Sequence, residues 1–102
     1  MNRGEIWWLE HPEAGRRPVC ILSRQAAIPV LANVLVVPAT RTIRSIPSEV
    51  PLGPDDGMPA ECVLSFDNVA TVPKALLTER ITALAPERLD ELCTALGVAT
   101  GC

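Results

Sequence analysis

The sequence predicts a mainly β fold, a small and strongly curved antiparallel sheet with a single helix packed on it near the C-terminal end. Three observations carry that prediction. Short runs rich in Val, Ile, Leu, Trp and Thr recur along the chain. Ten prolines and six glycines punctuate them. A helical apolar period is convincing in one stretch only, after Pro86.

Taken in order, Glu5-Ile6-Trp7-Trp8-Leu9 is aromatic and branched and reads as a strand, followed by a turn over His11 to Gly15. By alternation Trp7 and Trp8 point to opposite faces, so one is expected in the core and the other more exposed, with a dimer surface as its preferred use. Pro18 to Ser23 is a second strand and Asn33 to Ala39 a third. Both are almost continuously apolar, which predicts cover on both faces. Glu49-Val50-Pro51-Leu52 carries a proline and is confined to an edge. Gly53 to Pro59 is the clearest loop. Glu61 to Phe66, Asn68 to Val72 and Thr78 to Leu84 complete the strands. Pro86 suits a first helical position, Glu87 favours the N-terminal dipole and Gly97 is the expected stop. Between them Leu89, Leu92, Cys93 and Leu96 recur at i, i+3, i+4 and i+7 and form the stripe expected to face the sheet.

A chain of 102 residues, 48% hydrophobic, is one domain by length (1–102) and too apolar for disorder. It has no apolar run of the roughly 18 residues a membrane span needs. The first residues lack the apolar core of a signal peptide, so a cytoplasmic protein without membrane attachment is expected. The cysteines at 20, 62, 93 and 102 contain no Cys-x-x-Cys pair, and His11 is the one histidine; no metal site is expected. Cys20, Cys62 and Cys93, flanked by aliphatics, read as small core residues, and Cys102 as a loose terminal thiol.

The net charge of -3 argues against an anionic partner until the charges are placed. Residues 1–48 hold six arginines against three glutamates, a balance of +3; the remainder holds three basic residues against nine acidic ones, a balance of -6. Arg16 and Arg17 stand at the mouth of the second strand, and Thr40-Arg41-Thr42 at the exit of the third. If those strands are neighbours, guanidinium and hydroxyl donors converge on one spot that suits a phosphate.

These segments resemble the MazF/PemK family of toxin endoribonucleases. The matching residues are Arg3-Gly4-Glu5-Ile6-Trp7-Trp8, then Arg17-Pro18-Val19-Cys20-Ile21-Leu22-Ser23, then Val37-Pro38-Ala39-Thr40-Arg41-Thr42. Ile46-Pro47-Ser48-Glu49-Val50, Cys62 to Val69 and Leu77-Thr78-Glu79-Arg80-Ile81 follow in the family's order. The resemblance implies a small SH3-like antiparallel barrel with a C-terminal helix, of the CcdB/PemK-like type. It implies a sequence-selective endoribonuclease that cuts single-stranded RNA without a cofactor, as a homodimer silenced by a cognate antitoxin covering the site. It assigns Arg17 and Thr40 as the catalytic pair. The loop from His11 to Arg16 is shorter than in many relatives and lacks their Gly-Ser-Glu stretch, and Asn68 stands where Gln is more usual.

Such chemistry needs no metal when the RNA's own 2'-hydroxyl attacks the adjacent phosphorus and leaves a 2',3'-cyclic phosphate and a 5'-hydroxyl. Arg17 fits the role of transition-state stabiliser through its fork of donors, and Thr40 that of a hydroxyl donor or orienter. Arg16, Arg41 and Arg44 suit RNA-backbone contacts, while Asp67 and Asn68 could read a base edge. The rival readings are a CcdB-like toxin that binds DNA gyrase without cutting nucleic acid, and a decayed barrel that only binds RNA.

Overall fold

The computed structural model describes residues 1–102. Seven strands and one helix follow in the order β1 (Glu5–His11), β2 (Gly15–Ile21), β3 (Asn33–Thr40), β4 (Glu49–Leu52), β5 (Cys62–Ser65), β6 (Ala70–Pro73), β7 (Leu77–Ala83) and α1 (Arg88–Thr100). Single 3-10 turns at Pro54–Asp56, Phe66–Asn68 and Lys74–Leu76 join the later strands. The sheet is antiparallel throughout and runs β4-β5-β3-β2-β1-β7. No helix is long and apolar enough to cross a membrane.

The bend of the sheet is made at β3. One edge of β3 pairs with β2, while the other pairs with β6 over Asn33 to Val36 and then with β5 over Ala39 and Thr40. Pro38 falls in the gap where the partner changes, so its missing N–H interrupts no ladder on that edge. Two register shifts between β1 and β7 add curl at the far side. β4 is an edge strand, as its proline predicts, with Pro51 exposed.

Alternation sends the apolar residues of β1 to β3 to two faces, so both faces of these strands are covered as expected. Ile6, Cys20, Leu22 and Val37 join Leu64, Phe66, Leu92 and Ala95 in the larger core beneath α1. Leu9, Val19, Ile21, Val34 and Val36 join Ile28 and Leu77 on the opposite face, where Trp7, Val72 and Leu76 pack half-buried with no helix over them.

Three expectations are corrected. The helix neither starts at Pro86, which with Glu87 forms the turn before it, nor stops at Gly97, but runs from Arg88 to Thr100; Gly101, at φ +77, is the left-handed cap, and its N–H reaches the carbonyl of Val98. Cys93 is not a core residue. It lies at the exposed flank of a stripe centred on Leu92 and Ala95, and its Sγ accepts a hydrogen bond from Arg3 Nη2 at 3.4 Å. The two tryptophans are both half-buried rather than split between core and surface. Trp7 donates its Nε1–H to Glu5 Oε1 at 3.0 Å, and Arg16 stacks over Trp8 with its guanidinium carbon 4.2 Å from the ring centre. Cys20 and Cys62 are buried as expected; burial pushes the Cys20 thiol up to about 12, and burial with Asp56 beside it pushes Cys62 up, so neither is a ready nucleophile.

Candidate active site

β2 and β3 are neighbours, so the two Arg- and Thr-bearing segments meet. Their register pairs Val19 with Pro38. Counting two residues further along each antiparallel strand sets Arg17 opposite Thr40, on the same face as Leu9, Val19 and Val36. On that face lies a cleft of about 590 Å³ with an apolar floor of Leu9, Val19, Val36, Pro38 and Val72. Arg16, Arg17, Thr40, Arg41, Thr42 and Arg44 rim it, with Ser65 and Asn68 on the β5 side. No carboxylate, imidazole or thiol contributes to the lining.

The four arginines differ in how free they are. Arg16 is engaged by Glu79 at 3.2 Å while it stacks on Trp8. Arg17, Arg41 and Arg44 are exposed and have no acidic partner within ion-pair distance. Three unpaired guanidinium groups around one concavity give it a positive potential despite the acidic whole. Thr40 Oγ1 accepts the Thr42 N–H at 3.1 Å, which fixes the strand exit and leaves the hydroxyl hydrogen free to be donated elsewhere.

The base-edge candidates separate. Asn68 lines the cleft and donates Nδ2–H to Ser65 Oγ at 2.9 Å, so its carbonyl oxygen stays available as an acceptor. Asp67 is not part of the lining; its Oδ2 accepts the Ser48 hydroxyl at 2.7 Å and ties the 3-10 turn after β5 to the segment before β4. His11 is solvent-facing as expected, and its Nδ1 accepts the N–H groups of Glu13 and Ala14, closing the β1–β2 turn at a distance from this chemistry.

Sequence reasoning did not select Thr42, Ser65 or Glu49. Thr42 stood in the Thr-Arg-Thr run itself. Ser65 comes to the cleft only because β5 pairs with the end of β3. Glu49 stands behind the loop of residues 41–48; it is buried, and its Oε1 accepts the Arg44 and Ser45 N–H groups at 2.9 and 3.0 Å. Its one sequence signal is that no other acid occurs between Glu13 and Asp55, yet it opens an otherwise apolar strand.

The family described as the PemK-like, MazF-like toxin of type II toxin-antitoxin systems matches residues 2–99. The probable endoribonuclease MazF5 of Mycobacterium tuberculosis is 50% identical over 101 residues, which cover 98% of this chain and 93% of that protein. The probable endoribonuclease MazF2 of the same species is 42% identical over 103 residues, covering 100% of both. Among solved structures, Mycobacterium tuberculosis toxin MazF-mt6 superimposes with a TM-score of 0.88 at 34% identity, over 95% of this chain and 96% of that one. A mycobacterial endoribonuclease in complex with its cognate antitoxin gives 0.89 at 30% identity, over 99% and 95% of the two chains. The curved sheet with its C-terminal helix is thus the barrel-like fold of these toxins, and the chain belongs to the PemK-like, MazF-like family of type II toxin-antitoxin systems.

Proposed function

We propose that this protein is the endoribonuclease toxin of a type II toxin-antitoxin pair, acting in the cytoplasm on single-stranded RNA at selected sequences and so blocking translation. The observation that carries the reading is the cleft: three arginines without acidic partners and a free threonine hydroxyl above an apolar floor, with no carboxylate in the lining. A polyanion is the ligand such a rim attracts, and the exposed Asn68 at its side suits an unstacked base.

The reaction follows from the donor set. Divalent metal ions in nucleases are held by carboxylates, and the lining offers none, so the attacking group is best supplied by the RNA itself. The 2'-oxygen forms a bond to phosphorus, the bond from phosphorus to the 5'-oxygen breaks, and the 2'-proton is lost as the leaving oxygen gains one. Arg17 directs its fork of donors at the phosphoryl oxygens as charge builds on them, and Thr40 donates to one of them or holds Arg17 in line. A guanidinium is a poor base at neutral pH, so Arg17 acts by electrostatics and alignment. Arg16, Arg41 and Arg44 hold the flanking phosphates and Asn68 reads a base edge; Asp67, bound to Ser48, supports the turn that carries Asn68.

The half-buried Trp7, Val72 and Leu76 on the face without a helix support a homodimer with RNA grooves beside the shared surface. The solved mycobacterial relative was captured with its cognate antitoxin, and the MazE-MazF complexes from Deinococcus radiodurans are similar structures. An antitoxin segment of acidic or aromatic character would compete with RNA for the cleft of this chain by charge and shape. The gyrase-binding alternative finds no support, since the curated relatives are named as endoribonucleases.

The test is to treat RNA with the purified protein in the presence of EDTA and to sequence both ends of the fragments. Cleavage that persists in EDTA and leaves 2',3'-cyclic phosphate and 5'-hydroxyl ends is the expected result. Dependence on a divalent ion, or 3'-hydroxyl ends, would contradict the mechanism.

A further inference from the structure

We infer that Glu49 is a positioning residue for RNA binding: from inside the barrel it clamps the backbone of the loop that carries Arg41 and Arg44 to the cleft. The inference rests on the ribonuclease reading and deepens it by one residue. Three observations converge. A single oxygen of Glu49, Oε1, accepts two consecutive amides, those of Arg44 and Ser45. Ser45 is the one non-glycine residue with positive φ, at +55, a strained conformation that persists only where its surroundings hold it against its cost. The other oxygen, Oε2, is shut off from solvent without a hydrogen-bond donor, a burial that costs stability.

A carboxylate chosen for stability alone would not leave one oxygen orphaned beside a strained residue. The arrangement makes sense as a device that buys geometry. Residues 41–48 form no regular structure, and Arg44 and Ser45 are exposed. What holds the segment is at its base: the two amides on Glu49, the Glu49 N–H on the Ile46 carbonyl at 3.0 Å, and the Ser48 hydroxyl on Asp67. Turning Ser45 into the left-handed region bends the chain so that the Arg44 and Ser45 N–H groups face inward while the Arg44 side chain lines the cleft. Glu49 never reaches the RNA. It acts through Arg44, which would otherwise spread its charge over many loop conformations and lose most of a phosphate contact.

The test is a double-mutant cycle on a short single-stranded RNA that the wild type cuts, with kcat and KM measured for Glu49→Ala, Arg44→Ala and the double variant. Glu49→Ala is expected to raise KM roughly ten-fold with kcat within about three-fold, the size of one lost charged contact. In the Arg44→Ala background the same substitution should change KM by less than about two-fold. Glu49→Gln keeps an acceptor for both amides and should restore KM to within about three-fold of wild type. A KM rise of equal size with and without Arg44 would mean that Glu49 only supports the fold, and would overturn the proposal. Should Glu49→Ala fail to fold, Ser45→Pro breaks the same clamp from the exposed side by removing one amide and forbidding φ +55. It should reproduce the KM rise and its dependence on Arg44, and wild-type behaviour of that variant would equally overturn the proposal. The clamp itself is read without RNA, by slow hydrogen exchange at the Arg44 and Ser45 amides in the wild type; fast exchange there defeats the clamp, whereas RNA left uncut by the wild type defeats the ribonuclease reading.

Discussion

Arginine and threonine at strand ends are common, and Arg17 and Thr40 are set apart by the donors they keep free: Arg17 has no acidic partner, and the Thr40 hydroxyl accepts a local amide without spending its hydrogen. Arg17→Lys keeps the charge but not the planar fork, and should recover only a small part of the rate lost in Arg17→Ala. Glu5 gives a prediction on stability. Burial raises its pKa, but hydrogen bonds from Trp7 Nε1, the Asn2 N–H and Asn2 Nδ2 outweigh it, and the carboxyl sits below its ordinary value. A depressed folded pKa means stability that is present above the unfolded value and lost as pH falls through the folded one. The advantage of wild type over Glu5→Gln in thermal midpoint should therefore shrink between about pH 6 and about pH 3, and an advantage independent of pH would refute the assignment. At this scale the convergence of the segments carrying Arg17 and Thr40 was legible on the condition that their strands are neighbours, and the family resemblance singled out the pair; that the two stand opposite each other comes from the β2–β3 register. Glu49 was not legible, since its work is done through backbone amides that only a closed loop brings to it.

Among the elements, the strands were legible and the two ends of the helix less so. β-branched runs between prolines and glycines leave little freedom, and the shifts at β2 and β6 are of one to three residues. The helix overran Gly97 because extending it by one turn packs Ala99 against the core, which outweighs the roughly 1 kcal/mol a helical glycine costs. Cys93 fitted the period but not the centre of the buried stripe, which Ala95 occupies and which a small side chain signals poorly. Two glycines then make opposite predictions. At Gly97 an added methyl meets nothing nearer than 3.9 Å, so Gly97→Ala should stabilise by about 0.5–1 kcal/mol. At Gly57, with φ +89, a Cβ would lie 2.4 Å from Thr82 Oγ1, whose hydroxyl holds the Asp56 carbonyl; Gly57→Ala should destabilise by roughly 2 kcal/mol or more. Urea unfolding of the two variants checks both signs.

For the molecule as a whole, the decisive property is the separation of charge from net charge. An acidic chain presents a cleft with four arginines and no acid, because the basic residues are concentrated before residue 48 and β2 meets β3. Binding of a non-cleavable RNA should weaken with salt, and Arg41→Ala should reduce the slope of log affinity against log salt by about 0.7, the value of one single-strand phosphate contact. An unchanged slope would remove Arg41 from the interface. The face bearing Trp7, Val72 and Leu76 should pair with its copy, so sedimentation should give about twice the 10.9 kDa of one chain, and Trp7→Lys should return it to the monomer mass. This face was legible in part: alternation separated Trp7 from Trp8, but that the lone helix covers the other face is a tertiary fact. The central claim, that Arg17 stabilises the charge developing on the phosphoryl group, is tested most directly by the single-turnover cleavage rate of Arg17→Ala at saturating RNA. A fall of roughly 10²–10³-fold with an unchanged thermal midpoint is the expected result, and a rate within a few-fold of wild type would contradict it.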